Sequence, residues 1–307
     1  MKAGEELHRT GVLLVFGSAT VWSFGGAIVR YLTVSDSWVV VFWRSLFATA
    51  FLLGFMLWRD GWRATLDSFQ KMGWPGLGVA VCFATASTAF VVALAHTTVA
   101  NVLLIQAGVP LLAALMAFLL FGERISGATW AAIAAVIAGI GTMVSGSLGT
   151  SLSPLGDGLA VLVAFVFAGA TVITRRHANV GMMPAVCTGT TIAGVVAALL
   201  LQHFAVNVKD ASLLFLFGVF NLGLGMALFV TGVRLIPSAL AALIGVTEPV
   251  LGPVWVWLVH GEVPGIRTLL GGALVFAALL SHLLWQFRTQ RLAQDETPSS
   301  FPSGGAL

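Results

Sequence analysis

Ten stretches of the chain stay apolar for close to the ~20 residues that a helix needs to cross the hydrocarbon core of a bilayer. They fall at roughly 11–32, 38–58, 73–94, 100–120, 128–146, 156–175, 183–204, 211–232, 238–259 and 266–287, separated by short polar segments. Each is predicted to be a spanning helix, because a segment surrounded by lipid must satisfy its backbone N–H and C=O groups internally. The expected fold class is therefore all-α integral membrane, with ten transmembrane helices. The fourth and ninth stretches contain Pro110 and Pro249, which spanning helices tolerate where neighbours satisfy the freed carbonyl. Residues 1–10 and 288–307 are polar. The tail from Gln290, with its Pro, Ser and Gly, is expected to be disordered.

Within this pattern one segment occurs twice. Residues 109–123 run from Val109-Pro110 to Gly122-Glu123, and residues 248–262 run from Glu248-Pro249 to Gly261-Glu262. The prolines are 139 positions apart (249 − 110), and so are the glutamates (262 − 123). Each copy reads as an apolar helix with proline in its first half and a Gly-Glu stop. Residues 11–32 and 156–177 likewise match in length and polarity, with Arg30 and Arg175 at equivalent ends. The chain thus divides into repeats at 11–146 and 156–287. Five spans is an odd number, so the second repeat enters the membrane from the opposite face. Such inverted repeats place a binding site near the midplane between them.

Composition narrows the class further. Hydrophobic residues make up 58% of the 307 and charged residues 9%, far too little charge for a soluble domain. Mean hydropathy is +0.99. The net charge of +3 comes with no basic cluster, so no nucleic-acid partner is expected. Eleven of the fifteen Lys and Arg residues lie on the side of the N-terminus, which places both termini in the cytoplasm and the protein in the inner (plasma) membrane. Most tryptophans fall at span ends, as an interfacial aromatic belt does. Trp22 is the exception, halfway along the first span. Residues 1–10 are polar and the first apolar run is long enough to span, so no cleaved signal peptide is expected. Cys82 and Cys187 sit inside apolar segments, as small hydrophobes do. No phosphate-binding loop, no His-Glu-x-x-His run and no paired-acid motif occurs. Neither an ATP motor nor an intramembrane enzyme is expected, nor a metal or cofactor.

Ten spans in two inverted five-span repeats resemble the drug/metabolite transporter superfamily. More narrowly, Pro110 with Gly122-Glu123, Pro249 with Gly261-Glu262, Arg44 early in the second span and the small-residue run at 131–141 resemble the EamA-domain family. One departure is the neutral segment 183–189, where the second repeat has no counterpart of Arg44. The resemblance implies a secondary transporter that exports small organic solutes through a lipid bilayer by alternating access, working as a monomer. Amino acids or related metabolites are the substrates it implies first, aromatic ones by likeness to YddG-type exporters. Multidrug or other metabolite export is the alternative.

Candidate residues follow from depth and chemistry. Glu248 lies about 15 Å into the ninth span at 1.5 Å per residue, where an acid faces a cavity, a proton path or a partner. It reads as an ammonium-binding group or a proton carrier, against a structural acid beside Pro249. Arg44 lies near the outer end of the second span. It reads first as a fold-locking or gating residue, then as a partner for Glu248 or for a substrate carboxylate. Phe83, Ser87 and Phe90 share one helical face. With Trp22, Ser23 and Phe220 they offer aromatic walls and hydroxyls to an amphiphilic ligand, against ordinary packing. Asn101 and Asn221 are amides within spans, Asn221 midway along its own, and read as pore-lining or as holding helices together. Glu123 and Glu262 stand at helix C-termini, where a carboxylate is disfavoured, so both need a local cationic or loop partner and read as structural.

Overall fold

Segments as apolar as these have one local way to satisfy their backbones in lipid, and the structure takes it. The computed structural model describes residues 2–147, 154–177 and 181–295, and all regular structure among them is helical. In chain order the helices are α1 (Lys2–Ser23), α2 (Gly25–Tyr31), α3 (Ser37–His96), α4 (Val99–Gln106), α5 (Val109–Phe121), α6 (Gly127–Ser147), α7 (Pro154–Arg176) and α8 (Met182–Leu200). Then come α9 (Val208–Phe215), a π-helical segment (Leu216–Leu224), α10 (Gly225–Gly232), α11 (Ser238–Gly245), α12 (Thr247–His260) and α13 (Ile266–Asp295). Among the described residues, eight helical stretches are long and apolar enough to cross a membrane, and the bent pair α4–α5, angled by 45°, makes a ninth.

The 60-residue α3 is helical in hydrogen bonding but leaves helical geometry at two points, Gly61 (φ 76°) and Gly73 (φ 55°). These separate two apolar arms from a short linking stretch at 62–72. At 1.5 Å per residue the element would run about 90 Å as one rod, three times the ~30 Å of hydrocarbon.

Both copies of the Gly-Glu stop do the same job. Gly122 (φ 65°) and Gly261 (φ 66°) adopt the left-handed conformation and donate their N–H groups to Phe118 and Trp257 carbonyls four residues back. A residue with a Cβ would be strained there, and glycine is the ordinary choice at such a helix end.

Hydrogen bonds sort the helix ends into two faces. The ends of α2, α3 and α12 meet the start of α4 through Arg30, Thr97, Val99 and Glu262. The starts of α7 and α13 join them through Asp157 and Thr268. On the N-terminal face, the start of α1 meets the end of α10, and the ends of α5 and α7 meet through Glu123 and Arg175. Between the faces, α3 packs on α7 and α8, α6 on α13, and α1 on α10. Thr49 on α3 donates to Thr190 on α8 at 2.8 Å.

Three stretches depart from the sequence expectation. The first span breaks at Phe24, between α1 and α2. The seventh stops at Leu200 rather than 204, because Leu201 turns extended (ψ 147°). The polar tail is helical through Asp295, since residues 286–295 contain neither Gly nor Pro and consist largely of good helix formers; residues 296–307 lie outside the described residues.

The contact between α6 and α13 rests on small residues. A Cβ at Gly271 would fall 2.5 Å from the Gly139 carbonyl oxygen and 2.7 Å from Met143. Gly271→Val is expected to cost about 1–3 kcal/mol, as overpacking does, and to lower the thermal midpoint of the detergent-solubilised protein. Gly141, with nothing within 4 Å, is the control: Gly141→Val leaves the midpoint unchanged.

Candidate functional site

Helices that break inside a membrane free carbonyls that something must satisfy, and three such breaks lie among the described residues. At the first, Phe24 donates to Val21 over a long 3.4 Å. The Val21 and Trp22 carbonyls are instead met by Asn221, whose Nδ2 donates to them at 2.8 and 3.0 Å. Asn221 comes from the π-helical segment, and local widenings of this kind occur preferentially at functional sites. Ser23 Oγ donates to the Thr20 carbonyl at 2.6 Å and accepts from Trp255 Nε1 of α12 at 2.9 Å. Phe24 stacks on Trp255 with ring centroids 5.0 Å apart. Trp22 lies against α10, its ring 5.3 Å from Phe229. It fits only because residue 225 is glycine: a Cβ there would collide with the indole nitrogen. The structure thus brings Trp22, Ser23 and Asn221 together around one helix break.

The second and third breaks are equivalents in the two repeats. Between α4 and α5 the chain bends at Ala107-Gly108, and between α11 and α12 at Val246, 139 positions after Ala107 (246 − 107). Pro110 opens α5 and Pro249 lies in the first turn of α12, the places in a helix where a missing N–H costs least. Each half-helix therefore starts inside the bundle, and its N-terminal dipole end favours negative charge. Glu248 is the second residue of α12. It is half-buried. Among the described residues its carboxylate has no hydrogen-bond or ion-pair partner.

The other candidates are spoken for. Arg44 is buried and donates from Nη1 to Ser87 Oγ at 2.8 Å. Its guanidinium lies 4.3 Å from the ring centre of Phe217 and 5.8 Å from that of Phe90. Cation–π contact of this kind gains strength when desolvated. Arg44 does not pair with Glu248; it joins the two arms of α3 to the π-helical segment. Phe83 is buried edge-on to Phe167, 6.1 Å away. Asn101 is buried, with Nδ2 donating to Asp157 at 2.9 Å and Oδ1 accepting from Thr268 at 2.6 Å. Phe220, next to Asn221 in the π-helical segment, is 52% exposed. Glu262 accepts from Arg30 and from the Val99 N–H at 2.8 Å each. Glu123 lies 3.8 Å from Arg175.

Sequence reasoning missed Asp157, Thr97 and Thr268 as partners of Asn101, and Trp255 and Phe24 beside Ser23. That Asn101 and Thr268 begin their spans from the same face was a signal within reach, since α4, α7 and α13 all start there.

An all-helical bundle, apolar outside and broken inside, is the build of a membrane protein with an internal site. The sequence profile of the EamA-like transporter family matches residues 9–145 and again 154–284. The chain belongs to that family and is a membrane transporter of small molecules. A crystal structure of 18% sequence identity superposes with a TM-score of 0.62, covering 92% of this chain and 99% of that one, which shows the fold. No curated protein matches this chain.

Asp157 is the hub of the Asn101 network, accepting from the Thr97 hydroxyl as well. Asp157→Ala removes the acceptor of the buried Thr97 hydroxyl and one of the two acceptors of Asn101 Nδ2, at about 1–3 kcal/mol. The expected result is a clear drop in thermal midpoint in detergent, with Asp157→Asn losing less.

Proposed function

We propose that this protein exports amino acids, aromatic ones favoured, across the inner (plasma) membrane by alternating access. The observation that carries the proposal is the isolation of Glu248. The other acids inside or at the edge of the bundle have partners: Asp157 has Thr97 and Asn101, Asp210 has Thr33 and Asn207, and Glu262 has Arg30. Among the described residues Glu248 is the buried-side acid without a partner, and it lies beside a helix break. A carboxylate held at membrane depth without a partner is a binding or proton-carrying group, and an ammonium ion is the natural complement. Trp22, half-buried at another helix break, supplies an aromatic surface for the rest of the substrate.

Architecture supports the mechanism. Dividing α3 at Gly61 and Gly73 turns nine candidate spans into ten. The family profile matches once in each half, which supports a reading of five spans each in opposite orientation, rocking about a midplane site. The excess of Lys and Arg on the N-terminal face orients both termini to the cytoplasm.

The test is counterflow in proteoliposomes. Vesicles preloaded with unlabelled phenylalanine are expected to accumulate labelled phenylalanine, while vesicles preloaded with a dicarboxylate do not; no exchange with any amino acid, in protein that elutes as a single species, would contradict the reading. Glu248→Gln is expected to raise the phenylalanine KM about tenfold or more, since a charge-assisted contact contributes roughly 1.5–3 kcal/mol. If Glu248 carries a proton instead, the variant keeps counterflow and loses only transport driven by a pH gradient. Trp22→Ala is expected to weaken phenylalanine more than leucine; equal loss assigns Trp22 to packing.

A further inference from the structure

Two arginine–glutamate pairs cross between the repeats, and they are copies of each other. Arg30 ends the first helix of the first repeat and meets Glu262, which follows the fourth helix of the second. Arg175 ends the first helix of the second repeat and meets Glu123, which follows the fourth helix of the first. Exchanging the repeats exchanges the pairs, and in an inverted repeat it also exchanges the faces they stand on.

Their geometry is unequal. At the face opposite the N-terminus, Arg30 Nε donates to Glu262 Oε2 at 2.8 Å, Nη1 to the Leu94 carbonyl at 2.7 Å and Nη2 to the Thr97 carbonyl at 2.9 Å. Glu262 Oε1 accepts the Val99 N–H at 2.8 Å. One ion pair thus ties the end of α2, the end of α3, the start of α4 and the end of α12. Thr97 passes the connection on to Asp157 of α7. The two side chains are 26% and 19% exposed. At the N-terminal face the copy is loose. Arg175 Nη2 stands 3.8 Å from Glu123 Oε2, and the side chains are 62% and 51% exposed. A pair that open to water contributes little, whereas a half-buried guanidinium that also donates to two carbonyls holds firmly. Equivalent ion pairs in unequal states are what a two-state machine shows when caught on one side of its cycle.

We propose that Arg30–Glu262 and Arg175–Glu123 are the two latches of the transport cycle, tightened in turn, and that this structure has the latch opposite the N-terminus closed and the N-terminal one released. The proposal rests on the alternating-access reading for its cycle. Its test is a distance that needs no substrate, so failure of the latch and failure of the amino-acid reading are separate results.

The experiment is pulsed dipolar EPR on the full chain in nanodiscs, with Cys82 and Cys187 replaced by alanine. Nitroxides on Ser35→Cys and Val263→Cys report the closed latch, and nitroxides on Arg124→Cys and His177→Cys report the released one. Glu262→Gln is expected to move the Ser35–Val263 distribution to longer distance and the Arg124–His177 distribution to shorter distance. Glu123→Gln, which removes a pair already loose, is expected to move neither. Should Glu262→Gln fail to elute as folded protein, Arg30→Lys, which keeps the charge and loses the fork, is expected to give the same two shifts at smaller amplitude. Lengthening at Ser35–Val263 with no change at Arg124–His177, or no shift at either, would make the pairs independent struts and overturn the proposal.

Discussion

The bundle depends on where its broken helices find hydrogen bonds. An intact span is self-sufficient in lipid, but a break exposes carbonyls that water cannot reach, each costing several kcal/mol if left alone. The Phe24 break survives because Asn221 reaches across from another helix and donates to two carbonyls. That reach binds the start of the first repeat to the middle of the second. It also sets Trp22 against Gly225 and Ser23 against Trp255. The candidate site is therefore a by-product of backbone satisfaction: the side chains that repair the break are the ones that line it.

Electrostatics divides the polar residues into those that hold the bundle and those left for work. Arg44 is neutralised by no acid among the described residues and is instead covered by aromatic faces and a serine, which suits a fixed position between helices. Asp157 and Glu262 bind neighbouring helices into one polar layer at the face opposite the N-terminus. Glu248 belongs to no such layer. Its place at the head of a half-helix, where the dipole favours its charge, keeps it usable without a permanent partner.

Much of the helical pattern was legible because lipid enforces a simple rule on length and polarity. The Gly-Glu repeat read correctly as two helix stops, since Gly122 and Gly261 take the left-handed conformation that few other residues accept. The helical end of the chain was misread: polarity at 290–295 resembles disorder until one notices the absence of Gly and Pro. Partnerships were the least legible. Arg44 and Ser87 are 43 residues apart and Asn221 and Trp22 are 199 apart, and nothing in a linear pattern joins them. Phe220 reads from sequence as a wall of the site because depth is legible there, whereas the direction its side chain faces depends on which neighbours the helix finds. The π-helical segment compounds this, since it shifts the facing of every residue after Leu216.

The central claim is that the two repeats are inverted, so that equivalent loops lie on opposite sides of the membrane. The most direct measurement is labelling of single cysteines by a membrane-impermeant maleimide in intact cells, with Cys82 and Cys187 replaced. Val263→Cys, next to the second Gly-Glu stop, is predicted to label from outside. Arg124→Cys, next to the first, is predicted to label only after the membrane is permeabilised. Labelling of both from the same side would contradict the inverted repeat, and with it the alternating opening built on it.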